Sequence, residues 1–215
     1  MLIPSVRKIH NHNSSKVIGC SYSYKMQGQI QWESTLERDW LLHLEANPSI
    51  RDIYSQPQTF DYCHEGIWHR YTPDFEARWH ENMRLPTMYE VKPHEIAIQE
   101  EFKSEANSIR FSLATQGYEY LVIDDETICQ APLLQNLNFL KHYAGVFVTQ
   151  KERQRIFEYL TKVGPSRIEL IATLLGDKGA NLAVLYRLLW DGWLDYDKQS
   201  QVTPFIQVRL SRGEL

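Results

Sequence analysis

The sequence predicts an α/β fold, in which a mixed β-sheet flanked by helices is followed by a small domain of helices and two strands. Apolar periodicity from residue 34 to residue 143 gives a helix, a group of strands, a second helix, one further strand and a third helix. The pattern changes near Thr149, where helices begin to dominate. A chain of 215 residues is long enough for two domains, which we expect at residues 1–146 and 147–215.

Composition is that of an ordinary globular protein, with 43% hydrophobic and 23% charged residues. No apolar run approaches the ~20 residues of a membrane span, and residues 1–10 lack the apolar core of a signal peptide. We therefore expect a soluble cytoplasmic protein with no membrane partner. The three cysteines are odd in number and far apart, which argues for reduced thiols. They are Cys20, Cys63 and Cys129.

The first helix is predicted from Ser34 or Thr35 to Glu45, because Asn47-Pro48 ends it. Glu37 falls within the apolar arc of this helix, where a carboxylate needs a metal ion or a lysine as partner. Alternatively, Ser34 and Glu37 form a capping box, with Glu37 bonded to the Ser34 backbone amide. The residues alone leave both interpretations open, whereas Glu33 is best explained as a first-turn acid favoured by the helix dipole.

Extended segments follow at residues 50–54 and 57–62, and His64-Glu65-Gly66 predicts a hairpin turn into a strand over 67–79. Pro73 lies inside that strand and cannot donate to a β-ladder, so we expect a bulge or an edge there. Bulges often re-aim side chains near active sites. Asp74 is therefore either a functional carboxylate or a plain turn residue.

A strand over 87–92 is ended by Pro93, and the remaining elements alternate between helix and strand before the C-terminal part. Asp124-Asp125-Glu126 is interpreted as a loop and not as a metal site. The predicted elements are a helix over 95–116, a strand over 118–123 and a helix over 131–143.

The C-terminal part has the layout of a winged helix-turn-helix, namely three helices and a two-stranded hairpin. The second helix is expected to be capped by Ser166, and the third helix carries Arg187 as its one basic residue. That scarcity of positive charge favours a protein-docking domain over a DNA-reading one. The helices are predicted at 150–162, 166–175 and 180–191, and the strands at 193–196 and 205–210.

The residue pattern that indicates a catalytic function begins with Asp74. Glu90 follows sixteen residues later, and Lys92 follows two residues after Glu90. Side chains alternate across a strand, so Glu90 and Lys92 must project to the same face. Carboxylate oxygens are the ligands that Mg²⁺ prefers, and a neighbouring lysine can orient or deprotonate an attacking water. The pattern predicts metal-dependent phosphodiester hydrolysis with Mg²⁺, for which Mn²⁺ would substitute.

The net charge is −4, but residues 1–32 contain four basic residues and no acid. Three of these, Lys8, Lys16 and Lys25, are candidate DNA contacts. For each of them, a solvated surface lysine is the favoured interpretation.

The ordered set of motifs resembles the TnsA-type transposon endonucleases of the PD-(D/E)xK nuclease superfamily. The motifs that carry the resemblance are Trp32-Glu33-Ser34-Thr35-Leu36-Glu37-Arg38-Asp39, Gln56-Pro57, Tyr71-Thr72-Pro73-Asp74-Phe75 and Glu90-Val91-Lys92-Pro93. The resemblance implies a restriction-endonuclease-like sheet followed by a winged-helix domain. It further implies that Glu37 is catalytic, that Asp74 binds metal and that Lys92 is the catalytic lysine. Glu90 is the usual superfamily residue, although some TnsA-type members carry glutamine there.

The resemblance also implies an activity and partners in a bacterial cytoplasm. TnsA-type enzymes cleave the 5′ strands of double-stranded DNA at transposon ends, while a TnsB-type transposase processes the 3′ strands. A TnsC-type AAA+ regulator is associated with their C-terminal domain. Short chains of this kind are similar to TnsA proteins of CRISPR-associated elements.

Three alternatives remain at this point. The first is a stand-alone restriction or repair nuclease of the same superfamily. The second is a non-catalytic adaptor between transposase and regulator, which the presence of all four site residues disfavours. The third is a zinc site built from Cys63, His64 and His69, for which no ligand spacing provides support.

Overall fold

The computed structural model describes residues 3, 5, 17–80, 84–176 and 181–211. The chain forms two compact units. The first comprises the residues up to Glu45 together with Ser49–Cys129, and the second comprises Ala46–Pro48 and the residues from Gln130 onward. None of the described helices combines the length and the apolar character needed to cross a membrane.

The first unit contains a four-stranded sheet, two separate hairpins and four helices among its described residues. Its strands are β1 (Gly19–Ser23), β2 (Gly28–Trp32), β3 (Ile50–Ser55), β4 (Phe60–His64), β5 (Ile67–Tyr71), β6 (Phe75–Trp79), β7 (Thr87–Val91) and β8 (Glu119–Ile123). Its helices are α1 (Thr35–Ala46), α2 (His94–Ala97), α3 (Glu100–Thr115) and α4 (Asp125–Ile128).

The main sheet has the strand order β3-β6-β7-β8, in which β7 and β8 are parallel and the other pairs are antiparallel. This mixed sheet with helices confirms the predicted α/β fold class. All five residues of β7 are buried, because its two faces pack against different layers. Tyr89 and Val91 join the cluster that contains Leu41 and Leu44 of α1, whereas Met88 joins the cluster that contains Leu113 of α3.

The strand predicted over 67–79 is interrupted at Pro73. Within the described residues, its first half, β5, pairs with β4 alone, whereas its second half, β6, enters the main sheet. Pro73 has no N–H group for a ladder, and the chain leaves one sheet and joins another at this point. The interruption therefore agrees with the expected irregularity but is larger than a bulge.

The described N-terminal residues form the β1–β2 hairpin. Two further predictions differ from the structure of the first unit. The helix predicted over 95–116 is divided into α2 and α3, because Gln99 adopts an extended backbone. Two acids lie in the first turn of α3, where the helix dipole favours them. The predicted acidic loop is mostly helical, since the Asp124 side chain caps α4 by accepting from the Thr127 backbone amide at 3.0 Å.

The second unit combines helices with a three-stranded sheet of order β10-β11-β9. Its layout agrees with the one predicted for a winged helix, and that assignment stays a prediction. Ser166 lies in β9 instead of capping a helix, and its hydroxyl donates to the Gly164 carbonyl at 3.1 Å. The described elements are α5 (Leu133–Lys141), α6 (Gln150–Val163), β9 (Ser166–Arg167), α7 (Ile168–Leu175), α8 (Leu182–Trp190), β10 (Leu194–Tyr196) and β11 (Gln207–Leu210).

Helix α5 is part of this second unit, whereas we expected the boundary near residue 146. The rings of Phe139 and Tyr186 meet edge to face at 5.0 Å, which joins α5 to α8. Asn136 is 2% exposed; its amide donates to the Ser200 carbonyl at 2.9 Å and accepts from the Val202 backbone amide at 2.8 Å. These contacts involve residues far apart in the sequence, which local periodicity does not reveal.

Asn136→Ala should lower the free energy of unfolding by about 2 kcal/mol, because it leaves a buried backbone N–H and a carbonyl without partners. Urea unfolding measures the change. The matched control is Asn138→Ala on the same helix, since Asn138 is exposed and donates only to its own helix. An equal loss in the two variants would contradict the role assigned to Asn136.

Candidate active site

Asp74 lies in the gap between β5 and β6, where three hydrogen bonds fix it. Its backbone N–H donates to Tyr89 at 3.0 Å, and its carbonyl accepts from the Gln56 N–H at 2.9 Å. Its carboxylate Oδ2 accepts from the Val91 N–H at 2.8 Å. The backbone thus follows the main sheet while the carboxylate is directed to the end of β7.

Glu90 and Lys92 meet at that same end of β7. Glu90 is 6% exposed, and its Oε1 forms an ion pair with the Lys92 ammonium. Its second oxygen, Oε2, accepts from the hydroxyl of Tyr71. The strand alternation that predicted a shared face for Glu90 and Lys92 is therefore realised as a direct contact.

Glu37 takes part in the predicted capping arrangement at the start of α1. Its backbone N–H donates to Ser34 Oγ at 3.1 Å, and its Oε1 accepts from that hydroxyl at 3.0 Å. Its Oε2 accepts from the backbone amide of Glu33 at 2.7 Å, and not from that of Ser34 as we predicted. The charges of Lys92 and Asp74 also interact with Glu37, whose active-site role stays a prediction.

Burial dominates the electrostatics of the acids. It raises the pKa of Asp74 well above its usual range, and the negative charges of Glu90 and Glu37 raise it further. The Val91 hydrogen bond and Lys92 act in the opposite direction. Burial likewise raises the pKa of Glu37, against the hydrogen bonds from Glu33 and Ser34.

Burial and the neighbouring acids shift the pKa of Lys92 in opposite directions. Burial on its own lowers the pKa of Lys92, but the attraction of Glu90, Asp74 and Glu37 exceeds that effect, so the pKa is raised. The side chain is therefore an ammonium ion at neutral pH. It can orient a water molecule and stabilise negative charge, but it is not a proton acceptor at that pH.

Residues 47–125 match the family model described as TnsA-like endonuclease N terminal. This segment is TnsA-like. The match includes Asp74, Glu90 and Lys92 and confirms the resemblance for this part of the chain, whereas Glu37 and most of the second unit lie outside it. A comparison with curated proteins found no match.

Asp74, Glu90 and Glu37 are the predicted ligands of a divalent cation, but in this structure their carboxylate oxygens do not all lie within 4.8 Å of one another. Three carboxylates and one ammonium leave an excess of negative charge when all are ionised, and burial makes that excess costly. Their hard oxygen donors are those that Mg²⁺ and Mn²⁺ prefer. Each carboxylate oxygen carries two lone pairs, so the hydrogen bonds to Glu37 and Glu90 leave room for a further partner.

A second group of possible metal ligands lies at the end of the TnsA-like segment. One of its members, Glu126, is one residue beyond the matched range. His94, Asp124 and Glu126 have ligand atoms within 4.8 Å of one another. Their contacts have another explanation, because Asp124 caps α4 and pairs with His94 Nδ1 at 2.8 Å. The hydrogen bond that His94 Nδ1 donates to Asp124 is the main cause of the raised pKa of His94.

The other candidate residues have different positions. Lys25 donates from Nζ to the Ile50 carbonyl at 2.8 Å. Its role as a DNA contact stays a prediction. Lys8 and Lys16 lie outside the described residues. In the described part of the chain, Cys63, His64 and His69 form no cluster with metal-ligand spacing, which argues against the zinc alternative.

Two residues at the site carried no individual role in the sequence analysis, although both lie in the TnsA-type motifs. One is Tyr71, which bonds Glu90. The other is Gln56, which is 5% exposed, has a φ of 44° and holds the Asp74 carbonyl. Its Oε1 is buried and has no hydrogen-bond partner among the described residues. Left-handed backbone at a non-glycine residue is costly and clusters at functional sites, but no sequence pattern signals it here.

Asp74→Asn should stabilise the metal-free protein at pH 8 by about 1 kcal/mol or more. The pKa of Asp74 is higher in the folded chain than its usual value of 3.8, so the folded state binds more protons than the unfolded state. Its contribution to stability is therefore largest below pH 3.8 and falls as the pH rises through the raised pKa. Asparagine keeps an acceptor for the Val91 N–H and removes the charge.

Urea unfolding in a chelating buffer at pH 4 and pH 8 tests this prediction. The gain from Asp74→Asn should disappear at the lower pH. Asp61→Asn is the control, because Asp61 is exposed on β4 and should change stability by less than ~0.5 kcal/mol at either pH. A variant of Asp74 that is less stable than the wild type at pH 8 would refute the assigned burial cost.

Proposed function

We propose that the chain is a metal-dependent DNA endonuclease that hydrolyses the 5′, non-transferred strands at transposon ends during cut-and-paste transposition. The observation that carries the proposal is the position of Asp74, Glu90 and Lys92 at one end of β7, with Glu37 near enough for its charge to interact with those of Asp74 and Lys92. Three of these residues lie in the segment that matches the TnsA-like endonuclease family.

Each site residue has a role that its geometry supports. Asp74, Glu90 and Glu37 would hold Mg²⁺, or Mn²⁺ in its place. When bound, the ion would polarise the scissile phosphate and lower the pKa of a water molecule. The Lys92 ammonium would orient the attacking water and stabilise the charge that develops on the phosphate.

Partners follow from the family proposal and not from contacts in the structure. We propose that double-stranded DNA at transposon ends is the substrate and that the enzyme works with a TnsB-type transposase and a TnsC-type AAA+ regulator. The second unit would dock on protein more readily than on DNA. Arg187, the one basic residue of α8, pairs with Asp191 at 2.8 Å, and six of the nine helix residues are buried.

Asp74→Ala and Lys92→Ala should each reduce DNA cleavage by about 10³-fold or more, because each removes a group aimed at the reacting phosphate. The measurement is nicking of DNA that contains a transposon end, with the transposase present. Lys103→Ala is the matched control, since Lys103 also pairs with a glutamate, at 2.8 Å, but on the exposed face of α3. Cleavage at the wild-type rate by either site variant would remove the proposal.

The same assay separates the remaining alternatives. Cleavage without any transposase, at a preferred sequence or structure, would favour a restriction or repair nuclease. Absence of cleavage together with absence of Mn²⁺ binding in calorimetry would favour an adaptor that only bridges transposase and regulator.

A further inference from the structure

Tyr71 connects the β4–β5 hairpin to the candidate active site. It is the last residue of β5, and its hydroxyl donates to Glu90 Oε2, while Lys92 occupies Oε1 of the same carboxylate. The two donors reach Glu90 from different elements, since Tyr71 ends β5, which pairs with β4, and Lys92 directly follows β7. Glu90 is thus held at both oxygens.

The phenol ring of Tyr71 is itself fixed by aromatic packing. It meets the rings of Tyr62 and Tyr120 nearly at right angles, with centroid distances of 6.3 Å and 5.9 Å. The hydroxyl of Tyr120 lies 3.4 Å from that of Tyr71. A ring held on two sides places its hydroxyl at one point, so the hydrogen bond can define the direction of the Glu90 carboxylate.

The chain offers a comparison that separates positioning from simple stability. Tyr62 is 5% exposed in the same aromatic cluster, and its hydroxyl also donates to a carboxylate, that of Glu105. Glu105 lies on α3, and neither the acids nor the lysine of the candidate site contact it in the described part of the chain. The two tyrosines therefore make the same bond in the same core, and only one of the bonds reaches the site.

We infer that Tyr71 is a positioning residue that fixes the Glu90 carboxylate beside Asp74 and Lys92 for binding of a divalent cation. The inference rests on the proposed function and adds a residue to it. Partners that orient metal-binding carboxylates contribute to affinity because the ligand no longer has to be ordered when the ion binds.

Tyr71→Phe should weaken Mn²⁺ binding by about 10- to 100-fold, measured by calorimetry on the full chain without DNA. Tyr62→Phe should leave the affinity within about 3-fold of the wild type. In the nicking assay, Tyr71→Phe should raise the Mn²⁺ concentration for half-maximal cleavage by a similar factor, with recovery at saturating Mn²⁺. A purely structural role would instead lower the active fraction equally at every Mn²⁺ concentration.

Incorporation of 4-aminophenylalanine at position 71 provides a rescue test, because it keeps the ring and an N–H donor. It should restore most of the lost affinity, and it also covers the case in which Tyr71→Phe does not fold. Wild-type affinity in Tyr71→Phe, an equal loss in Tyr62→Phe, or failure of the rescue would overturn the inference. If the wild type itself binds no Mn²⁺, the proposed function fails together with it.

Discussion

The hydrogen bond from the Val91 backbone amide to the Asp74 carboxylate is the contact on which the candidate site depends. It joins the gap between β5 and β6 to the last residue of β7, at 2.8 Å. Pro73 makes the gap possible because it lacks an N–H, and the bonds from Asp74 to Tyr89 and Gln56 keep the backbone attached to the sheet on both sides. The Asp74 carboxylate is thereby fixed at the end of β7, where Glu90 and Lys92 form their ion pair.

This arrangement places buried carboxylates close to one another, which disfavours the charged form of Asp74. Each pKa unit by which a buried carboxylate is raised corresponds to about 1.4 kcal/mol of disfavour for its charged form. Lys92 interacts with Glu90, Asp74 and Glu37, and one ammonium does not balance the charge of three carboxylates. The unbalanced charge is the physical reason to expect a cation, and it also explains why neutralising Asp74 should stabilise the protein while it removes activity.

The sequence allowed those parts of the site to be predicted that depend on one element at a time. Alternation along a strand placed Glu90 beside Lys92, and helical periodicity placed Glu37 on the inner face of α1. The contact of Tyr71 was not predictable, because it requires knowing that β5 lies outside the main sheet while its last residue reaches Glu90 of β7. The same limit applies to α5, whose packing against α8 depends on residues about fifty positions away. The backbone of Gln56 was missed for a different reason, since a left-handed glutamine has no compositional signature.

The capping contacts of Glu37 are compatible with its proposed role in the site. A capping glutamate occupies the position three residues into the helix, and its carboxylate turns back over the first turn to reach free N–H groups. In this chain those contacts come from Ser34 and the Glu33 amide, and they oppose the effect of burial on the pKa of Glu37. The cap therefore favours the ionised form that metal binding requires, and it restricts the rotation of the side chain before any ion is present. A residue that sequence analysis had to assign to one of two roles gains its suitability for the second role from the first.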